Sequence, residues 1–302
     1  MMIDKSDKSV NYFGKVRSYK ACVHDGIRFI TDHFIYFFKL LFPLALAAGL
    51  VLGAGGASLL HMEGVSQIVV ACSVVLFSIL IVSFGVGVLF YVARIYAEQG
   101  MFPLLKRVSI YKLTMPMALR NFFLELVFIS VFCLFFYNFT SYILYGSLLL
   151  IFLLLPFFSM VYSNFLMTSR TLMVTLKESL MLSLRHYGST LLIIILLGLF
   201  VLIALLFFLL PGSVLFAVEI KSIYSELMGD MTDLPSAFWL LQFVCWFVGG
   251  ALSLFLIQVV VIPLVCQYYS VIIQREEYQE LEANRRRIEE EHQVLKKTPY
   301  RR

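Results

Sequence analysis

The feature that most restricts this chain is a set of long, uninterrupted hydrocarbon runs. "LLIIILLGLFVLIALLFFLLPG", residues 191–212, holds no charged side chain. A helix crossing the hydrocarbon layer needs about 20 mostly apolar residues, because it rises only about 1.5 Å per residue. Six segments meet that requirement: 34–54, 65–93, 121–139, 143–168, 189–211 and 236–273. Backbone polar groups cannot be left bare in lipid, so each segment is expected to be a helix. The runs are too long and too continuously apolar for the alternating strands of a barrel. The second and sixth exceed a perpendicular crossing and are expected to tilt or to project beyond the bilayer.

Composition excludes the alternative of a soluble domain. The chain is 61% hydrophobic and 14% charged, whereas soluble domains are about 45–50% apolar and about 25% charged. In water it would expose large apolar patches. The net charge of +5 comes from residues that flank the apolar runs, so no nucleic-acid partner is expected. Cys22, Cys72, Cys133, Cys245 and Cys266 form no CxxC spacing and read as small apolar residues, with no disulfide framework or zinc site. The polar, basic N-terminus is not followed closely by a short apolar core with a cleavage site, so the first span is expected to serve as the targeting signal itself.

Lys and Arg set the orientation. With the N-terminus in the cytoplasm and six alternating spans, only Lys221 of the 24 basic residues falls outside. That asymmetry is what the positive-inside rule demands. It places the chain in the cell (inner) membrane with both termini cytoplasmic. The division that follows is an arm and amphipathic surface helix over 1–33, a six-helix membrane domain over 34–273, and a charged helical tail over 274–302. Six aromatics in "FFYNFTSYILY" (135–145) suit the headgroup zone at an outer turn. The Asn138-Phe139-Thr140 triplet there lies too close to the bilayer to act as a glycosylation acceptor.

A threefold pattern organises the spans. Before span 1, Tyr19, Cys22, Val23, Gly26, Ile27 and Ile30 form an apolar stripe. Leu104, Leu105, Val108 and Tyr111 do so before span 3, and Leu172, Met173, Leu176, Leu180 and Leu184 before span 5. Each reads as a short amphipathic helix on the inner face followed by two spans. The expected fold is therefore all-α and polytopic, three units of one surface helix and two transmembrane helices, with a charged C-terminal helix. In the second span of each unit Gly85, Pro156 and Pro263 are each followed six residues later by Tyr91, Tyr162 and Tyr269. "LRN" (119–121) and "LRHYG" (184–188) mark corners where Arg120, Arg185 and His186 can meet lipid headgroups.

These three units and the exit "IPLVCQYYSVIIQREEYQELE" (262–282) resemble a broad group of bacterial six-span proteins. That group includes the membrane domain found with some glycerophosphoryl diester phosphodiesterases and related families of unassigned function. The resemblance implies an architecture. The soluble phosphodiesterase barrel is absent from this sequence, so no such activity is implied.

Ionisable groups inside spans are the default functional candidates. Glu125 lies one turn into span 3, where it is expected to pair with a basic neighbour. Asn164 and Gln258 suit interhelical hydrogen bonds. These three form the candidate intramembrane polar site, and Arg120, Arg185 and His186 the candidate headgroup contacts. No HExxH, GxSxG or phosphate-binding GxxxxGK[ST] pattern occurs, so no catalytic residue, metal ligand or cofactor is assigned. Gly53, Gly55, Gly56 and the Gly249-Gly250 pair are expected to allow close helix approach. The outer segment 211–238 is expected to form a short amphipathic helix, with Asp230 and Asp233 in an ordinary acidic loop. The tail 274–297 is expected to be a solvated helix with pairs such as Arg285/Glu289 and a surface for self-association or a cytoplasmic partner. Membrane lipids are the other expected partner. A non-enzymatic organising or regulatory membrane protein is the leading reading, followed by a small transporter or channel and then by a lipid-modifying enzyme.

Overall fold

The computed structural model describes residues 12–61, 64–103, 107–137, 141–167, 172–229, 234–235 and 237–297. The Asn138–Thr140 triplet, Leu104, Leu105, Asp230 and Asp233 lie outside the described residues. The helices are α1 Tyr19–Asp32, α2 Phe34–Ser58, α3 Val65–Gln99, α4 Arg107–Tyr137, α5 Ser141–Met167, α6 Leu172–Arg185, α7 Tyr187–Leu227 and α8 Phe238–Lys297, with a 3-10 turn at Leu59–His61. Among the described residues there is no strand. Four helical stretches are long and apolar enough to cross a membrane: Phe34–His61, Val65–Gln99, Tyr187–Leu227 and Phe238–Glu290. The other two expected spans are helical within α4 and α5 but do not number among those four, and their connection lies partly outside the described residues.

Helix α8 is the element that the others are built around. It packs along α2, α7, α1 and α3, and glycines set the spacing where it is held most tightly. A Cβ on Gly49 of α2 would stand 2.6 Å from the Phe247 carbonyl of α8, and one on Gly249 of α8 would stand 2.7 Å from the Phe208 carbonyl of α7. Only a residue without a side chain lets the backbones approach this closely. At about 1.5 Å per residue the 60 residues of α8 reach about 90 Å, roughly three times the thickness of the hydrocarbon layer.

One end of the bundle is closed by an aromatic cluster. Phe29 of α1 stands 4.8 Å from Tyr96 of α3 between ring centroids, and His33 stands 4.6 Å from Phe102. Tyr12 and Phe13 of the N-terminal arm are buried in the same cluster. The arm is strapped down by Arg17, whose Nε donates to Asp25 Oδ2 at 2.6 Å and whose backbone N–H donates to Ser270 Oγ of α8 at 2.7 Å.

The three expected units differ where a surface helix was expected to meet a span. α1 ends and α2 begins at His33 (φ −118°, ψ 24°), and α6 ends and α7 begins at His186 (φ −114°, ψ 20°). The two corners thus share one residue type and one conformation. At the position corresponding to "LRHYG", "LRN" makes no corner: α4 runs unbroken from Arg107 to Tyr137, through Pro116. A proline can lie inside such a helix, and α4 continues through it. The expected separate surface helix before span 3 is therefore the first part of the same helix. The outer segment likewise continues α7 through Pro211 to Leu227, 41 residues in all, in place of a separate helix. In the tail, Arg285 Nε donates to Glu289 Oε1 at 3.2 Å, the pair that the spacing predicts.

Candidate functional site

Arg185 and His186 come together at the α6–α8 junction, and two cations join them that the sequence had marked only as topogenic charges. Lys177 and Arg185 of α6, His186 at the corner and Arg275 of α8 line a groove of about 370 Å³. Among the described residues Glu178 is the one acidic side chain in its wall. Val174, Met181 and Leu182 supply apolar lining. The Arg185 guanidinium stacks 4.7 Å from the centroid of the Tyr278 ring, which ties the end of α6 to α8 and fixes where that charge points. Burial, and then the neighbouring Arg185, hold the His186 pKa below its ordinary value, so its ring is neutral near pH 7. The positive charge of the groove comes from Lys177, Arg185 and Arg275. No spacing rule could have found Arg275, which reaches the groove from another helix far along the chain. The sequence did offer a signal for Lys177, which shares the short α6 with Arg185.

Helix α6 faces the opposite way from an ordinary amphipathic helix on a soluble protein. Thr175, Ser179 and Ser183 are buried, whereas Met181 is 79% and Leu184 70% exposed. Asn164 of α5 explains the buried side. Its Nδ2 donates to Ser179 Oγ at 3.0 Å and its Oδ1 accepts from the Tyr268 hydroxyl of α8 at 3.2 Å. Asn164 is thus a joint between three helices.

Arg120 stays apart from the groove. Its guanidinium lies 4.3 Å from the centroid of the Phe165 ring. Glu125 does not pair with it or, among the described residues, with any other cation. Glu125 Oε2 stands 2.5 Å from Ser83 Oγ of α3, and Oε1 accepts from Asn121 Nδ2 at 3.0 Å. The expected pairing with a basic neighbour is therefore replaced by a neutral amide and a hydroxyl, because Arg120 turns toward an aromatic face instead. Asn121, four residues before Glu125 on the same helix face, could have been read from the sequence. Ser83, on another helix, could not. Gln258 is buried, and its Oε1 has no partner among the described residues. The structure brings none of Glu125, Asn164 and Gln258 into contact with one another: they are three separate polar positions.

A buried carboxylate lies on α7. Glu219 is 3% exposed, accepts from Gln242 Nε2 of α8 at 2.8 Å, and stands 3.3 Å from His61 Nε2. The sequence reading placed it only among the acids of the outer segment. Among the described residues no group of three or more His, Cys, Asp or Glu side chains is placed to hold a metal ion. Comparison with known protein families, characterised proteins and solved structures finds no match.

Proposed function

We propose that this chain is a six-span protein of the cell inner membrane, with both termini cytoplasmic, that binds the headgroup of an anionic phospholipid in the α6–α8 groove. Its role is to organise or regulate, with the lipid site at the base of the protruding charged helix of α8. The convergence of Lys177, Arg185 and Arg275 over apolar lining carries this reading. A phosphate offers these cations charge-assisted hydrogen bonds, and acyl chains can lie against Met181 and the exposed Leu180 and Leu184. The outward-facing apolar side of α6 supports a position at the lipid surface. Residues 274–297 continue as a helix with exposed Tyr278, Leu281 and Ile288, a surface suited to a cytoplasmic protein or a second copy.

Lipid retention tests the groove. Each Lys or Arg near an anionic surface contributes about 1 kcal/mol, so Lys177→Gln with Arg275→Gln is expected to cost about 2 kcal/mol, a loss of about thirtyfold in affinity. Protein extracted in mild detergent should carry phosphatidylglycerol that mass spectrometry detects, and the double variant should lose it. Equal retention by both proteins would reject the groove as the lipid site.

A further inference from the structure

The α3–α4 seam holds the one acidic side chain of the expected third span, and the positions of its hydrogens can be counted. Gly87 of α3 lies against Ala118 of α4, so close that a Cβ on the glycine would stand 3.3 Å from the Ala118 backbone. One turn along, Ser83 faces Asn121 and Glu125. Both Ser83 and Asn121 are fully buried.

Ser83 Oγ makes two close oxygen contacts, 2.8 Å to the Ile79 carbonyl and 2.5 Å to Glu125 Oε2. Oxygens at such separations are held by a shared hydrogen. Two contacts are best satisfied by two hydrogens. The serine hydroxyl has one, and a carbonyl has none. The carboxyl group is the partner able to carry the second. Glu125 Oε2–H then donates to Ser83 Oγ, Ser83 donates to the Ile79 carbonyl, and Glu125 Oε1 accepts from Asn121 Nδ2. Every polar atom of a neutral carboxylic acid is satisfied in this chain of bonds. An ionised Glu125 would instead leave both oxygen contacts to share the one serine hydrogen, and a negative charge without a cation among the described residues.

The surrounding groups agree with that count. From α5, Tyr162 comes alongside Asn121 and Glu125. On α4 itself the nearest cation in sequence, Arg120, is directed at Phe165. Among the described residues, α3 offers Glu125 only the Ser83 hydroxyl.

We propose that Glu125 is a proton-binding site within the membrane, loaded as the carboxylic acid while α3 and α4 are closed and exchanging its proton when the seam opens. This assigns the protein a proton-linked conformational function separate from the lipid groove. It rests on the reading of α4 as a span. Removing the proton would place an unpaired charge between the helices, which favours separation of the seam and entry of water.

Carbodiimides distinguish the two states, because they react with the acid. The carboxyl O–H protonates a carbodiimide nitrogen, and the carboxyl oxygen bonds to the central carbon. The resulting O-acylisourea rearranges to an N-acylurea that retains every atom. The full-length protein in vesicles would be treated with dicyclohexylcarbodiimide over a range of pH and mapped by mass spectrometry. A water-soluble carbodiimide with an added amine would run in parallel. The expected result is an adduct of the hydrophobic reagent at Glu125 that declines as pH rises, and none from the soluble reagent. Glu125→Gln should abolish the adduct and keep the wild-type melting midpoint, since its amide N–H can donate to Ser83 where the acid does. Absence of a hydrophobic-reagent adduct, labelling independent of pH, or a lowered midpoint in Glu125→Gln would overturn the proton site and leave the span reading standing. Labelling of Glu125 by the soluble reagent would overturn the span reading, and the proton site with it.

Discussion

α1 and α6 are both 14-residue helices that end at a histidine corner, and both carry apolar residues at helical spacing, yet they bury opposite faces. α1 buries Cys22, Gly26, Phe29 and Ile30. α6 buries Thr175, Ser179, Leu182 and Ser183 and turns Leu180, Met181 and Leu184 outward. The neighbours account for the difference. Gly26 of α1 lies against Pro263 of α8, at a position where the proline nitrogen has no hydrogen to donate, and its aromatic residue Phe29 enters a ring cluster. α6 is met by Asn164, whose amide satisfies a serine hydroxyl. Burying an apolar side chain is strongly favourable only when the alternative is water. Where the alternative is lipid, helices associate through close packing and hydrogen bonds instead. On the proposed placement of α6 at the lipid surface, α1 follows the first rule and α6 the second.

The largest expected effect is on the α1 side. A Cβ on Gly26 would stand 2.7 Å from Pro263 Cγ and 2.9 Å from its Cα. The Cα is backbone, so α1 itself must lift. Gly26→Val is expected to cost at least ~1–3 kcal/mol by overpacking and to loosen Phe29 from Tyr96. The melting midpoint in detergent should fall clearly. Gly188, just past the second corner, has nothing within 4 Å of an added Cβ, so Gly188→Ala should leave the midpoint close to wild type. Equal midpoints for the two variants would show that α1 is not held by the contact described here.

An intermediate effect is expected on the α6 side. Asn164→Leu removes the bonds to Ser179 and Tyr268. Interhelical hydrogen bonds in membrane proteins contribute about 0.6 kcal/mol each, with a maximum of about 1.7, so a loss of about 1–2 kcal/mol follows. It should be local. Backbone hydrogen exchange over 172–185 should speed up while exchange over 19–32 is unchanged. A matching increase in both segments would mean that the two helices are not held independently.

The contrast also explains what the sequence could show. Hydrocarbon length is a one-dimensional property, so the helical character of every apolar run was legible, as was the continuation of α8 into its charged tail. An amphipathic stripe is legible too, but the side of the helix that meets protein depends on the neighbour. Nothing in the spacing of Leu176, Leu180 and Leu184 reports Asn164 waiting on another helix. The break before span 5 and its absence before span 3 are subtler still: Arg120-Asn121 and Arg185-His186 look like equivalent corners, and Asn121 instead stays helical with its amide on Glu125. Arg185 and His186 were legible as neighbours because both lie in one short stretch. Arg275 and Ser83 complete their sites from other helices, and long-range convergence leaves no periodic trace.

The smallest effect on stability, and the most direct test of the contrast, comes from placing a fluorophore on each outward face. Met181 is 79% exposed and Ile27 41% exposed, so tryptophan at either position is expected to change the folding free energy by no more than about 0.5 kcal/mol. In vesicles containing phospholipids brominated on the acyl chains, Met181→Trp should show quenching beyond that of the native Trp239 and Trp246, because its helix offers an apolar face to lipid. Ile27→Trp should show no such excess, since the apolar side of α1 is already covered by α8 and its remaining surface carries Lys20, His24 and Arg28. Excess quenching at both positions would mean that α1 also rests in the acyl region, and the two helices would then differ in their partners within the bundle but not in their solvent. Excess quenching at neither would remove α6 from the lipid surface and leave its exposed leucines without the environment that their outward orientation requires.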